Sequence, residues 1–363
     1  MYIESVELEN YRNYETLHID FHKGTNVLYG DNAQGKTNVL EALYLGGTTK
    51  SHKGSKDKEI IRFGQEEAHI KLTVSKQDVC YRIDMHLKRN KSKGVAVNKI
   101  PIHKASELFG ILHVVFFSPE DLNIIKEGPS ARRRFLDLEL CQLNKLYVHN
   151  LVQYNKVVLQ RNKLLKDLAM GQSGEDTLDI WNIQLARFGK EVIKYRRVFV
   201  NQLNELIAGI HQNLSGGQEN LEIRYEPNVT EETFEEELEK NRFQELRQKT
   251  TLAGPHRDDL SFLVNGMDVR KYGSQGQQRT AALSLKLSEI DLVRRLTGEE
   301  PVLLLDDVLS ELDGSRQNQL LSVIRRTQTI VTCTGLDDFI DRHVQIDKIF
   351  KIVNGTVAEE HEY

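Results

Sequence analysis

Apolar and polar positions alternate over residues 3–8, a short apolar run occupies residues 25–29, and residues 39–45 repeat at helical spacing. This pattern predicts strand, loop and helix around GDNAQGKT at residues 30–37. Further on, Tyr81, Ile83, Met85 and Leu87 alternate with Arg82, Asp84 and His86, and KRNKSKG leads into residues 95–97, which predicts a β-hairpin with a basic tip. From residue 131 to about residue 214 the period changes: Phe135, Leu136, Leu140, Leu143, Leu151 and Val152 fall at helical spacing. Residues 171–176 break that run, a Gly/Ser/Asn segment surrounds Ser215, and the acidic stretch 231–239 reads as a solvated helix. An amphipathic helix through Leu283, Leu287, Ile290 and Leu296 precedes the apolar strand 302–305, and short strands are expected at 330–332 and 349–353. The result is an α/β core, discontinuous in sequence, interrupted by a mainly helical region.

Composition narrows the class without changing that picture. Hydrophobic content of 39%, charge of 28% and only 6 prolines fit a globular chain of 363 residues. A net charge of −4 means that any nucleic-acid partner must be met by local basic clusters. Cys80, Cys141 and Cys333 are widely spaced and follow no metal or redox pattern, which fits a reducing cytosol. The N-terminus lacks the features of a signal peptide and no apolar run approaches the ~20 residues of a membrane span, so a cytoplasmic protein without a membrane role is expected.

Three segments carry chemistry. In GDNAQGKT the backbone of Gly30, Asp31, Asn32, Ala33, Gln34 and Gly35 can wrap phosphates at a helix N-terminus; Lys36 reaches the terminal phosphates and Thr37 offers a magnesium ligand. In VLLLDD, residues 302–307, a buried strand delivers Asp306 to magnesium and leaves Asp307 beside the attacking water. YGSQGQQR, residues 272–279, stands before a predicted helix, so Ser274, Gly276 and Gln277 can present a second anion site. ATP with Mg2+ is the expected cofactor pair. Because one chain needs one triphosphate cradle, the second is expected to close on the γ-phosphate held by another copy.

LSGGQ at residues 214–218 is a competing match for that second cradle. A strand-like alternation, not a helix, follows it, and Ser215 lies 91 positions before Asp306 against 32 for Ser274. The signature is therefore assigned to Ser274 and LSGGQ to a turn.

Taken with ENYRNY (9–14), TKSHK (49–53), SPEDL (118–122), GPSARRRFLD (128–137) and GPHRDDL (254–260), these motifs make the chain similar over its whole length to the RecF family of bacterial DNA replication and repair proteins, a branch of the cassette and SMC-like ATPases. The resemblance implies an ABC-type P-loop head. Its first lobe would comprise residues 1–125 and 290–363 and its mainly helical second lobe residues 126–289. It also implies ATP-dependent homodimerisation, slow hydrolysis, binding of double-stranded, gapped or junction DNA, and cooperation with RecR and RecO. Arg12 and Asn13 would join the nucleotide site, and SELD at residues 310–313 would form a dimer-contact loop. Most cassette ATPases carry glutamate where Asp307 stands; one methylene fewer implies slow turnover.

Candidate DNA contacts are Lys50, Lys53 and Lys56, joined by Lys58, and Lys88, Arg89, Lys91 and Lys93 at the hairpin tip. Arg132 and Arg133, with Arg134, fall in the first turn of a helix, where cations oppose the macrodipole, so compensation by an acidic surface, a lobe contact or a phosphate is expected. His256 beside Arg257, Asp258 and Asp259 reads as turn packing, and Trp181 among Ile180, Ile183 and Leu185 as core. The competing functions are the ATPase subunit of a transporter, suggested by LSGGQ, and a chromosome-tethering head, for which sustained heptads are missing. A GTPase is disfavoured because only SKQD, at residues 75–78, approaches a base-recognition string.

Overall fold

A computed structural model describes residues 1–170, 176–309, 312–324, 326–336 and 345–362. The chain divides into two compact units, Met1–Asp121 with Leu283–Tyr363, and Leu122–Ala282. The divisions fall within four residues of the first expected boundary and seven of the second, which lies inside the helix Gln275–Thr297.

The first unit contains two six-stranded sheets. One is antiparallel, in the order Tyr14–Asp20, Tyr2–Tyr11, Glu67–Lys76, Val79–Lys88, Lys91–Val97 and Ile100–Ile102. Its strands follow the period-2 rule: Ala68, Ile70, Leu72 and Val74 are buried, whereas His69, Lys71 and Thr73 face the other way. The second sheet runs Thr356–Glu362, Lys348–Val353, Thr25–Tyr29, Thr329–Cys333, Val302–Asp306 and Val114–Phe117. All its pairings are parallel except that of the first-named edge strand. Val302–Leu305 and Val114–Phe117 are buried at every position, as strands covered on both faces must be.

Helix Lys36–Thr48 packs against strands of both sheets, which explains why it is buried almost all round. Close approach needs a missing side chain: a Cβ on Gly46 would lie 2.0 Å from Leu72 Cδ1 of the antiparallel sheet. Buried Gln328 adds a polar tie, accepting from the Ile3 N–H at 2.7 Å and donating to the Ile3 carbonyl at 2.7 Å. The edge strand Thr356–Glu362 escaped sequence reading because its TVAEEHE face is exposed and acidic; Lys351 and Lys348 of the neighbouring strand pair with Glu359 and Glu360.

The second unit is built on helices Pro129–Leu143, Lys145–Ala169, Asp176–Leu214 and Phe234–Gln248, with a three-stranded sheet of Leu221–Glu226, Asp259–Val264 and Met267–Asp268. Asn144 caps the second helix by accepting from the N–H groups of Leu146 and Tyr147. The break expected at 171–176 lies largely outside the described residues. Trp181 is half-buried and its neighbours Ile180 and Ile183 are exposed, so the expected core cluster there reduces to Leu185. The periodicity was real but its phase placed those isoleucines on the outer face.

Three buried arginines hold this unit. Arg161 donates to Glu245 at 2.5 Å, to Asn182 at 2.9 Å and to Thr251 at 2.9 Å, with both charged side chains fully buried. Arg196 bridges Asp137 at 2.7 Å and Asp258 at 2.9 Å, and Asp258 also accepts from Tyr225 and from the Asn228 N–H. The third, Arg132, pairs with Asp259.

Removing one member of such a pair strands the other in a low dielectric. Arg161→Ala should therefore cost about 3–5 kcal/mol, whereas the double variant R161M/E245L should recover most of the loss. Urea unfolding of the two variants checks this; equal destabilisation by both would contradict it.

Candidate nucleotide site

The phosphate loop joins the strand Thr25–Tyr29 to the helix Lys36–Thr48, at the carboxyl end of the parallel sheet where α/β proteins bind ligands. Gly35 caps the helix at φ +116°, and a Cβ there would meet Asn13 Nδ2 at 2.6 Å, so no other residue fits. Asp31, Asn32 and Ala33 are exposed, with Ala33 in a left-handed turn at φ 64°. The loop is pinned from the side, since Asn13 donates to the Gln34 carbonyl at 3.0 Å and accepts from Asn38 at 2.8 Å. Gly355, packed against Asn13, donates to the same carbonyl at 3.1 Å.

Lys36 curls back so that Nζ donates to the carbonyls of Gly30 at 2.5 Å and Asp31 at 2.7 Å. Burial pushes its ammonium down from the ordinary lysine value, against the opposing influence of Cys333, Asp307, Asp306 and Asp31. A phosphate oxygen would supply the full counter-charge that these carbonyls lack. Thr37 Oγ1 donates to Asp306 Oδ1 at 2.7 Å, and Thr332 Oγ1 donates to the same oxygen at 2.8 Å. A hydroxyl and a strand-end carboxylate side by side are the oxygen donors that a hydrated magnesium ion takes, so the pair fits that ion. Asp307 follows in a left-handed conformation, φ 52°, with its N–H directed at the Thr332 carbonyl and hydroxyl. That conformation ends the strand and leaves Asp307 exposed.

Arg12 also sits at φ 53°, and its guanidinium forks onto Glu41 with both contacts at 2.8 Å. It further reaches Ser55 at 2.8 Å and the Glu59 carbonyl at 2.9 Å. Burial works against the charges of both partners, yet the paired hydrogen bonds prevail, raising the pKa of Arg12 and lowering that of Glu41. Glu41, 1% exposed, was not anticipated from sequence; a lone acid in the apolar run NVLEALYL was the available signal. It also accepts from Ser51 of TKSHK at 2.5 Å, so Arg12, the phosphate-loop helix and the basic segment form one network.

Ser274 opens the helix Gln275–Thr297 in the second unit. Its N–H donates to Gln277 Oε1 at 2.9 Å and its Oγ accepts from the Gln277 N–H at 3.2 Å, a reciprocal capping box. Tyr272, Ser274, Gln275, Gly276 and Arg279 are exposed around this helix start. LSGGQ is the reverse: Leu214 ends a helix, Gly216 and Gly217 turn left-handed at φ 66° and 78°, and the Gly217 N–H closes onto the Gln212 carbonyl. Only Ser274 meets the helix-start requirement. Of SELD, Ser310 and Glu311 lie outside the described residues.

The basic residues separate into two kinds. Arg132 is 2% exposed, forks onto Asp259 at 2.6 and 2.9 Å and donates to the Glu127 carbonyl at 2.7 Å. Arg133 donates to the Asp258 carbonyl at 2.7 Å. Arg132 is therefore a structural residue and leaves the DNA candidates: acidic and carbonyl partners, not phosphate, compensate its place in the first turn of its helix. Arg133 is held to the same segment. His256 joins this packing, because Nε2 donates to the Thr251 carbonyl at 3.1 Å and Nδ1 accepts from Tyr154 at 2.6 Å. Burial pushes its pKa to about 4, so it stays neutral.

In the first unit Lys93 reaches the Thr49 carbonyl and Asp57, each at 2.8 Å, which joins the hairpin tip to the 49–58 segment. Lys88 and Arg89 lie 3.7 Å from Glu67 and Glu66. Lys50, Lys53, Lys56, Lys58 and Lys91 are exposed, and none forms an ion pair among the described residues.

Known proteins similar to this chain identify its family. The family model for the RecF/RecN/SMC N-terminal domain matches residues 2–357. A protein of Agathobacter rectalis named DNA replication and repair protein RecF is 63% identical across 98% of this chain and 99% of its own. A protein of the same name from Lachnoclostridium phytofermentans is 61% identical, across 99% and 100%. A solved structure described as the recombination mediator protein RecF with ATP in the RecFOR pathway superposes with a TM-score of 0.92 at 38% identity, covering 100% of this chain and 97% of that one. These relatives do not favour the transporter reading, and among the described residues no helix is long and apolar enough to cross a membrane. The chain belongs to the RecF family of the RecF/RecN/SMC ATPases.

Proposed function

We propose that this protein is an ATP-driven DNA repair switch: ATP joins two copies head to head, the dimer holds double-stranded, gapped or junction DNA, and slow hydrolysis releases it. The observation that carries the reading is the exposed, capped helix start at Ser274, a second polarised anion site besides the phosphate loop. In the dimer, Lys36 of one copy and Ser274 of the other grip the same γ-phosphate. Thr37 and Asp306 would hold magnesium, which neutralises charge between the β- and γ-phosphates when bound. Asp307 orients water, and its short side chain keeps turnover low. Asn13 and Arg12 brace the loop. Cooperation with RecR- and RecO-type mediators is part of the same reading, supported by the RecFOR pathway named for the solved relative, and a cytoplasmic location follows from such a role.

DNA would lie along the united lysine surface formed by Lys50, Lys53, Lys56, Lys58 and Lys91, with Lys88, Arg89 and Lys93 at its margin. Contacts of this kind read the phosphate backbone, not sequence.

Three outcomes test the reading. Ser274→Arg should bind ATP as the parent does yet remain monomeric with a non-hydrolysable analogue in sedimentation velocity; normal dimerisation would end the γ-phosphate bridge. Asp307→Asn should lower kcat by about 10²–10⁴-fold while ATP-induced dimers persist, as phosphate release and sedimentation would show. Reversing Lys50, Lys53 and Lys91 to Glu should weaken DNA binding and flatten the log K against log salt slope by roughly 0.9 for each phosphate that is no longer neutralised. An unchanged slope would move the DNA surface elsewhere without touching the dimer mechanism.

A further inference from the structure

The solvent face of the antiparallel sheet carries a group of side chains unrelated to the nucleotide chemistry. His69 of strand Glu67–Lys76 and His86 of strand Val79–Lys88 stand directly opposite each other, with rings stacked at 4.0 Å and 23° between their planes. Glu67, two residues before His69, shares that face by the strand period. Its two carboxylate oxygens lie 2.9 Å from His86 Nε2 and 4.0 Å from His69 Nε2. The three donor groups thus converge, all within 4.8 Å of one another, and His69 and His86 line an open trough of about 750 Å³.

The geometry points to a zinc site formed by His69 Nε2, His86 Nε2 and the Glu67 carboxylate. Two donors on a tetrahedral zinc ion sit roughly 3.3 Å apart, so small ring rotations convert the observed cluster into a coordination shell. The strand pair fixes the rest: neighbouring antiparallel strands hold opposed Cβ atoms about 5 Å apart, so the two imidazoles need no backbone movement to chelate. Gly94 stands opposite His86 on its far side and contributes no side chain that would cover the ring. Glu9 stands opposite His69 on the other side, so a second carboxylate borders the triad.

The donor set selects the ion. Two imidazoles and one carboxylate suit zinc, whereas magnesium prefers oxygen donors and would stay at Thr37 and Asp306. Three protein ligands leave one position for water. One neighbour opposes the site: Lys88 Nζ lies 3.7 Å from Glu67 and competes for its carboxylate. An ion here would pin two adjacent strands of the sheet whose inner face receives the phosphate-loop helix through Leu72 and Gly46.

Calorimetric titration of the full chain with Zn2+, after chelator treatment, tests the site. One equivalent should bind; His69→Ala and His86→Ala should each weaken it roughly tenfold or more, His18→Ala in the same trough should leave it unchanged, and Lys88→Met should tighten it. Should an alanine variant fold poorly, the near-isosteric His69→Gln and His86→Gln serve in its place. Co2+ should give visible absorption bands that vanish in Glu67→Gln. Zinc binding that survives loss of His86, or that falls equally with His18→Ala, would overturn the assignment.

Discussion

A single carboxylate oxygen organises the nucleotide site. Asp306 Oδ1 accepts from Thr37 at 2.7 Å and from Thr332 at 2.8 Å, and so ties the phosphate-loop helix to the ends of two parallel strands. Register makes this contact possible: Leu305 pairs with Val331 and with Phe117, and Asp306 with Thr332. A one-residue slip would turn Asp306 to the opposite face of the sheet, away from Thr37. Thr37 is fixed just as firmly, because its helix is wedged between two sheets with Gly46 against Leu72. The phosphate loop is flexible in composition but its anchors belong to the hydrophobic core.

Charge is sorted by the same logic. A helix first turn repels cations, so Arg132 is tolerable only with the bidentate Asp259 and the Glu127 carbonyl around it. Arginine suits that place better than lysine, since a rigid fork fills two acceptors at once. Lys50, Lys53, Lys56 and Lys58, with Lys91 of the hairpin tip, have the opposite character, compactly charged, hydrated and exposed. Thus a chain of net charge −4 pairs its buried Arg132, Arg161 and Arg196 with acids while Lys50, Lys53, Lys56, Lys58 and Lys91 stay exposed.

Much of this was legible in the sequence, for an identifiable reason. Apolar runs at 25–29 and 302–305 record burial on two faces, and the loop between residues 30 and 37 records phosphate geometry; both signals are local. What the sequence concealed is long-range choice of partner. Arg132 and Asp259 are separated by 127 positions, Gln328 and Ile3 by 325, and nothing local tells either residue of the other. Glu41 was hidden because its partner Arg12 lies 29 positions away, in the turn between the first two strands, and Ile180 and Ile183 because a helical period does not state which face is covered. His69 and His86 likewise become neighbours only once the hairpin register is set.

The two serine-glycine-glutamine motifs show why spelling alone misleads. LSGGQ and YGSQGQ offer similar side chains and glycines, but the first closes a helix and the second opens one. A helix end presents unpaired carbonyls and about half a negative charge, whereas a helix start presents N–H groups and the opposite sign. Glu219 sharpens the difference: it stands beside LSGGQ, approaches His211 at 3.3 Å and accepts from the Gln277 side chain at 2.8 Å. That acid repels anions from the LSGGQ turn while holding the Gln277 side chain, whose Oε1 accepts from the Ser274 N–H. Glu219, next to the transporter-like string, thus braces the helix start at Ser274.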